Sequence, residues 1–185
     1  MRIIAGVFGS RKIKTLDGID TRPTLDRVRE SLFNILGSRL RDAVVLDLFA
    51  GSGALGLEAL SRGSRYVVFN DQARKAVSTV EENVLTLGVQ ENCQIICQEA
   101  LRTCDLLART QSSFDLIFLD PPYDKELYTP VLYKIWQNHL LVPGGMIVCE
   151  HRKGDSFAMP ESYRIYDRRT YGKISLSFII EEVVS

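Results

Sequence analysis

The sequence of 185 residues has little that would suit a metal centre, a disulfide framework or a membrane span. It contains two histidines and four cysteines, and none of them forms a CxxC or HxxxH pair. Cys93, Cys97 and Cys149 lie in apolar, strand-like segments and are predicted to be reduced core residues. No run of about 18 apolar residues occurs, and the opening MRIIAGVFGSRK is too short and too quickly charged for a signal peptide. We therefore expect a cytoplasmic protein with no metal and no membrane partner.

An excess of charge of either sign is also absent, because 23 Lys and Arg residues balance 23 Asp and Glu residues. A nucleic-acid partner must therefore be argued from the distribution of the charges. Four basic residues precede the first acid, Asp17, and five arginines follow soon after it. These are Arg2, Arg11, Lys12 and Lys14, then Arg22, Arg27, Arg29, Arg39 and Arg41. This concentration favours a phosphate-contacting surface and a merely solvated edge about equally.

Residues 1–41 are predicted to form a basic N-terminal extension. The segment RIIAGVFGSRKIKT has apolar residues around a Gly-Ser pair, which predicts a small hairpin. The following TLDRVRESLFNIL has apolar residues at helical spacing, and Thr24 is a suitable N-cap. The predicted apolar face of this helix consists of Leu25, Val28, Leu32, Ile35 and Leu36.

Residues 42–185 are predicted to form an α/β domain. The short apolar segments VVLDL, YVVF, CQIIC, FDLIFL and GMIVCE alternate with helical segments, two of which end at Gly63 and Gly88. Such alternation predicts a doubly wound parallel sheet. The last part, SYRIYDRRTYGKISLSFIIEE, adds an antiparallel hairpin around Tyr171-Gly172-Lys173. The expected fold is Rossmann-like, a seven-stranded and mostly parallel sheet with helices on both faces.

The first predicted strand leads into a glycine loop, VLDLFAGSGALGLEAL, in which Gly51, Gly53 and Gly56 satisfy GxGxxG. This pattern admits an NAD-dependent oxidoreductase. Asp47, however, ends the strand four residues before the first glycine, and its carboxylate would repel a pyrophosphate and attract a cation. S-adenosylmethionine carries a sulfonium and an amino group, so Asp47 favours this cofactor over NAD.

Two later strand ends supply further candidate cofactor residues. Asp71 lies about twenty residues past the loop, where an acid can accept from both ribose hydroxyls or can cap the next helix. Glu99 and the Ala100 amide are predicted to lie near adenine, although an acid at a helix start needs no ligand. The predicted cofactor-binding set is Asp47, Phe49, Ala50, Gly51, Gly53, Asp71, Glu99 and Ala100.

The fourth predicted strand ends in LDPPYD, an acid followed by two rigid prolines and an aromatic residue. A nucleobase amine is a poor nucleophile, and two acceptors aimed at its hydrogens would direct its lone pair to a methyl group. The Asp120 carboxylate and the Pro121 carbonyl, fixed by Pro122, are predicted to be those acceptors. Tyr123 offers a face on which a base removed from its stack can lie. The alternative is a Pro-Pro turn whose tyrosine packs on the core.

DPPY resembles motif IV of the amino-methyltransferases. Together with RIIAGVFGSRKIKT, TRPTLDRVRESLFNIL, LDLFAGSGALGLEALSRG and YGKISLSFI, it resembles the bacterial RsmD-like family over nearly the whole chain. The resemblance implies a class I methyltransferase fold, S-adenosyl-L-methionine as cofactor, and methylation of a guanine N2 amine in 16S rRNA. It also implies an RNA-facing set consisting of Arg2, Arg11, Lys12, Lys14, Arg22, Thr24 and Arg27.

The residues alone leave the target base open, because adenine N6 and guanine N2 present similar hydrogens to Asp120 and Pro121. An adenine-N6 methyltransferase of DNA or RNA is one alternative, and a non-catalytic RNA-binding assembly factor is another. The chain leaves no room for a target-recognition domain. We therefore expect a monomer that acts on 16S rRNA within a 30S subunit or an assembly intermediate.

Overall fold

The computed structural model describes residues 1–16, 23–122 and 126–182. The α-helices are α1 (Pro23–Leu36), α2 (Ala54–Ser61), α3 (Arg74–Leu87), α4 (Ala100–Arg109) and α5 (Tyr128–Gln137). The strands are β1 (Val44–Asp47), β2 (Tyr66–Asp71), β3 (Cys93–Cys97), β4 (Phe114–Leu119), β5 (Leu141–Arg152), β6 (Tyr163–Tyr171) and β7 (Ile174–Glu181). Short 3-10 helices cover Gly37–Leu40 and Gln90–Asn92.

The seven strands form one sheet in the order β3-β2-β1-β4-β5-β7-β6. Strands β1 to β5 run parallel, whereas β7 pairs antiparallel with both β5 and β6. The prediction of five parallel strands and a terminal hairpin is confirmed. The strand order reverses between β1 and β4, which is the position where ligands bind in sheets of this type.

The core has two parts, one on each face of the sheet. Residues of α1, α2 and α3 pack with Val45, Phe118 and Val148 on one face. Residues of α4 and α5 pack with Leu46, Ile117 and Ile147 on the other face. Alternate residues of a strand point to opposite faces, so these buried parallel strands are apolar almost throughout.

Glycines fix how the helices meet the sheet. Gly88 ends α3 with a φ of 72°, which confirms the predicted left-handed cap. A Cβ at Gly56 would lie 2.2 Å from a ring carbon of Phe69, so only glycine allows α2 to approach β2 this closely. The loop that precedes α2 is thereby held against the carboxyl ends of β1 and β2.

The N-terminal segment forms the small hairpin that the sequence predicts: an antiparallel bridge joins Arg2 to Lys12, and the Ile3 amide donates to the Arg11 carbonyl at 3.0 Å. It is held by side chains of other elements. The buried Glu58 carboxylate of α2 accepts from the amides of Ile4 (2.7 Å) and Ala5 (3.1 Å). Asn83 of α3 accepts from the Lys14 amide at 2.7 Å and donates to the Lys14 carbonyl.

Three smaller predictions were wrong. α1 begins at Pro23, so Thr24 lies inside the helix and is not its N-cap. Ile35 is exposed, and Phe33 takes its place in the core by packing against Phe118. Cys97 is exposed because it lies on β3, an edge strand of the sheet.

Candidate active site

A cleft of about 1030 Å³ opens at the carboxyl edge of the sheet, at the predicted ligand position. It brings together five of the predicted cofactor residues and three residues of the LDPPYD segment. These are Phe49, Gly51, Asp71, Glu99 and Ala100, and then Asp120, Pro121 and Pro122. Residues from the ends of four strands therefore share one cleft, although they lie up to 73 positions apart in the sequence.

Asp47 is not among the cleft-lining residues. It is only 2% exposed, and its carboxylate accepts from the Gly56 amide at 3.0 Å beneath the glycine loop. Burial, opposed by this hydrogen bond and helped by the charge of Asp71, raises the pKa of Asp47 to about 7. Ala50 and Gly53 also lie outside the lining and form the turn itself, with a 2.7 Å bond from the Gly53 amide to the Ala50 carbonyl.

Asp71 holds the glycine loop and the start of α3 together. One carboxylate oxygen accepts from the Gly51 amide at 2.9 Å, and the other accepts from the Ala73 amide at 2.9 Å. The N-cap of α3 is Ala73 and not Asp71, so the alternative helix-capping role was wrong, and the Asp71 side chain lines the cleft. Glu99 occupies the N-cap position of α4 without a capping hydrogen bond, and its carboxylate lies 3.6 Å from the guanidinium of Arg102.

Asn70 is a cleft residue that the sequence did not identify as functional. It is buried, its side-chain amide donates to the Leu48 carbonyl at 3.0 Å, and its side-chain oxygen accepts from Thr103 at 2.7 Å. The Asn70 carbonyl accepts from the Ala50 amide at 2.8 Å. These bonds fix the path of residues 48–50. The available signal was a polar amide at the end of the otherwise apolar run YVVF.

Asp120 stands at the end of β4 and shares its surroundings with two other acids. Burial first, and then the charges of Glu150 and Asp47, raise the pKa of Asp120 well above its ordinary value. Glu150, which also lines the cleft, was not predicted as a site residue. Tyr123 lies outside the described residues, so its stacking role stays a prediction.

The mouth of the cleft has a basic rim consisting of Arg152, Lys153 and Lys173. The Lys153 amide donates to the Lys173 carbonyl at 2.9 Å, which holds the end of β5 beside the β6–β7 turn. Tyr171, at the same turn, hydrogen-bonds Ser31 of α1. The rim was missed because its members lie twenty residues apart in the sequence, and only the fold places them together.

None of the five predicted RNA-facing residues whose side chains the structure describes lines the cleft. Arg2, Arg11, Lys12 and Arg27 are exposed, and the guanidinium of Arg11 lies over the Phe8 ring. Lys14 forms a 2.7 Å ion pair with Glu82. Thr24 lies in the first turn of α1, and Arg22 lies outside the described residues.

Within the described ranges, no helix has the length and apolar character needed to cross a bilayer. Across residues 1–16, 23–122 and 126–182, no group of three or more His, Cys, Asp or Glu side chains has a metal-binding arrangement.

Comparison with known proteins gives consistent matches over most of the chain. The family model described as conserved hypothetical protein 95 matches residues 1–180. YlbH of Bacillus subtilis is 42% identical over 151 residues, which is 82% of each chain. Ribosomal RNA small subunit methyltransferase D of Haemophilus influenzae is 36% identical over 178 residues, covering 95% of this chain and 91% of that protein.

A solved structure also matches over nearly its full length. The structure of yhhF from Escherichia coli has a TM-score of 0.86 and 29% identity, and covers 99% of this chain and 98% of its own. The arrangement of helices and strands described above is therefore shared with an experimentally determined structure.

Proposed function

Because the chain belongs to the conserved hypothetical protein 95 family, the RsmD family, we propose that it is an S-adenosylmethionine-dependent methyltransferase of small-subunit ribosomal RNA. We propose further that its target is the N2 amine of one guanine. The observation that carries this proposal is the shared cleft, in which Asp120 and Pro121 face the same space as Asp71 and Glu99. Such a cleft has one wall for a nucleoside cofactor and another for an amine.

The residues of the cleft suit S-adenosylmethionine. The volume of about 1030 Å³ is large enough for the cofactor and a base together. Asp71 would accept from the ribose hydroxyls, and Glu99 with the Ala100 amide would meet the adenine. Gly51 has a φ of 54°, which a residue with a side chain rarely adopts, and so the loop backbone stays open to a ligand. When bound, the cofactor supplies an electrophilic methyl group.

The chain contributes by holding the amine. The Asp120 carboxylate and the Pro121 carbonyl accept one hydrogen each, so the nitrogen lone pair turns away from the two acceptors. Pro122 fixes the backbone next to that carbonyl, and the orientation is therefore set before the base enters. An ionised Asp120 accepts more strongly than a protonated one, in which one oxygen has become a donor. Because its pKa is raised, transfer should fall on acidification at a higher pH than for an ordinary aspartate.

An RNA substrate is supported by the position of the basic rim. Arg152, Lys153 and Lys173 give the mouth of the cleft a positive charge although the whole chain is neutral. Ser31 contacts the same turn, and Arg27 lies one helical turn before Ser31 and is exposed. A phosphate backbone can therefore pass along this side while one base enters the cleft.

The test is to map the methylated nucleotide. Small-subunit rRNA from cells with and without the gene is digested and analysed by mass spectrometry, and we expect one N2-methylguanosine to disappear.

With purified protein, Asp120→Ala should lower the transfer rate by about 100-fold or more, while Asp167→Asn on β6 serves as the matched control. Methylation of adenosine in the rRNA, or full activity of Asp120→Ala, would contradict the proposal.

A second experiment addresses the physical state of the substrate. Within the described residues all seven strands belong to one sheet, and we propose that the target is displayed within a 30S subunit or an assembly intermediate, which adds to recognition of the base. Initial rates are compared on naked 16S rRNA and on partially assembled particles at equal concentration. Equal rates on the two substrates would contradict the role of the particle without affecting the assignment of the reaction.

A further inference from the structure

A second carboxylate, Glu150, stands beside Asp120 in the cleft wall. Leu119 of β4 pairs with Cys149 of β5, so Asp120 and Glu150 are one position beyond a paired register. Neighbouring strands are about 4.8 Å apart, and the charge of Glu150 acts directly on Asp120. Both residues line the cleft.

The position of Glu150 is set by rigid elements. It lies within β5, between β4 and β7, and it pairs with Leu176. Its carbonyl accepts from the Tyr128 hydroxyl at 2.6 Å, which fixes the backbone from the side of α5. The neighbours on either side of Glu150, Cys149 and His151, are buried. The backbone that carries this carboxylate is thus set by the fold before a base enters, as a specificity contact requires.

Two adjacent acceptors match the edge of guanine and not that of adenine. Guanine presents its N2 amine and its N1–H side by side, and both are donors. Adenine presents its N6 amine beside an unprotonated N1, which is an acceptor. We propose that Glu150 accepts the N1–H of the target guanine while Asp120 and Pro121 hold the N2 amine, and that Glu150 thereby selects guanine over adenine.

This inference rests on the proposed function and supplies the base preference that Asp120 and Pro121 cannot provide. Two neighbouring carboxylates repel each other, and a base that brings two donors relieves the repulsion. Adenine would instead direct the N1 lone pair at a negative charge, and the two would repel each other. The site therefore contains an attractive element for guanine and a repulsive element for adenine.

The experiment removes the N1 hydrogen of the base, together with its 6-oxo group, and exchanges one carboxylate oxygen of the protein for an amide nitrogen. At the mapped target nucleotide, guanosine is replaced by 2-aminopurine, which keeps the 2-amine but has an unprotonated N1. Rates of methyl transfer, as kcat/KM, are measured for wild type and for Glu150→Gln on both RNAs. Glu161→Gln, an exposed residue outside the cleft, is the matched control.

We expect wild type to prefer guanosine over 2-aminopurine by a factor on the order of 100. In Glu150→Gln the side-chain amide can donate to the unprotonated N1, so this preference should shrink to about tenfold or less. Glu161→Gln should keep the preference of wild type. A purely structural role of Glu150 would lower both rates together and leave their ratio unchanged.

The outcomes separate the two proposals. If wild type methylates 2-aminopurine as well as guanosine, the inference is wrong even where Glu150→Gln fails to fold. If wild type methylates guanosine and the ratio is the same in Glu150→Gln, the inference is wrong and the proposed function stands. If wild type methylates adenosine and not guanosine, both are wrong.

Discussion

At the scale of single residues, four acids on adjoining strands have different surroundings because they differ in burial and in partners. Asp71 uses both carboxylate oxygens for backbone amides and stays at the cleft surface. Asp120 and Glu150 face the substrate side, where donors from a base can meet them. Asp47 lies beneath the loop and accepts from one backbone amide. Its ionised form is therefore destabilised, because burial removes the carboxylate from water.

Asp47 should make the protein less stable as the pH rises. Its pKa is about 7 in the folded chain and 3.8 as an ordinary aspartate, so folding takes up a proton between about pH 4 and pH 7. Stability contributed by this group is therefore greatest below pH 4 and declines through pH 7, by a total of roughly 4 kcal/mol at most. We expect Asp47→Asn, which can still accept from Gly56, to be more stable than wild type at pH 8.

Urea unfolding at pH 4.5 and pH 8 tests this expectation. The gain in the free energy of unfolding of Asp47→Asn should be about 2 kcal/mol or more at pH 8 and should nearly vanish at pH 4.5. An equal difference at both pH values would show that ionisation of Asp47 has no part in stability. Binding of S-adenosylhomocysteine by the same variant is measured separately, because the carboxylate is also a predicted cofactor residue.

At the scale of elements, the N-terminal segment depends on buried side chains of helices far along the chain. Glu58 of α2 is fully buried, and its carboxylate accepts from two amides of the segment and from the Arg62 guanidinium at 2.8 Å. Ser61 donates to the Ala5 carbonyl and accepts from the Phe8 amide at 3.0 Å. Two residues of one short helix thus anchor the hairpin, whose two arms are joined by an antiparallel bridge between Arg2 and Lys12.

Glu58→Gln should destabilise the whole protein, because a glutamine in that position cannot serve two amides and a guanidinium with a full charge. We expect a loss of about 3 kcal/mol in the free energy of unfolding by urea. Glu82→Gln is the control, since its ion pair with Lys14 is exposed and should contribute less than about 1 kcal/mol. Losses of equal size in the two variants would contradict the anchoring role of Glu58.

The strand and helix pattern was predictable from the sequence, while the contacts between distant elements were not. Apolar runs identified the parallel strands, and Gly88 identified the end of α3, because these signals are local. Nothing near Ile4 indicates that its amide will meet Glu58, 54 residues away. Phe33 replaced Ile35 in the core because the direction of a helix face depends on what it packs against, here Phe118.

In the candidate site too, local sequence signals predicted some residues, while contacts between distant elements were not predictable. Asp71, Glu99 and Asp120 were predicted because each directly follows an apolar run, at the end where parallel strands bind ligands. Glu150 also follows such a run, GMIVC, but no motif marked it. Its importance comes from the register of β5 on β4, which places it beside Asp120 and which the sequence does not specify.

At the scale of the whole molecule, a chain with no net charge presents a basic rim at the opening of an acidic cleft. The cleft lining includes the half-buried acids Asp71, Asp120 and Glu150, the exposed Glu99, and the exposed basic residues Arg152, Lys153 and Lys173. The phosphates of an RNA strand would contact these basic residues, and electrostatic repulsion would keep the phosphates away from the acidic residues of the cleft. A single flipped base carries no phosphate on its edge and can enter among the acids.

The rim should therefore contribute to RNA binding through phosphate contacts. We expect Lys153→Ala combined with Lys173→Ala to weaken binding of the target RNA and to reduce the slope of log K against log salt by about 1.5, as loss of two phosphate contacts predicts.

The matched control is Arg65→Ala with Arg109→Ala, two exposed arginines near the amino ends of β2 and β4, at the opposite edge of the sheet. Fluorescence anisotropy between 50 and 200 mM salt, roughly the range over which such contacts are resolved, measures both slopes. A double variant of the rim that keeps the wild-type slope, or a control pair that loses as much, would place the RNA elsewhere on the molecule, with the exposed Arg2, Arg11 and Lys12 as the next surface to test.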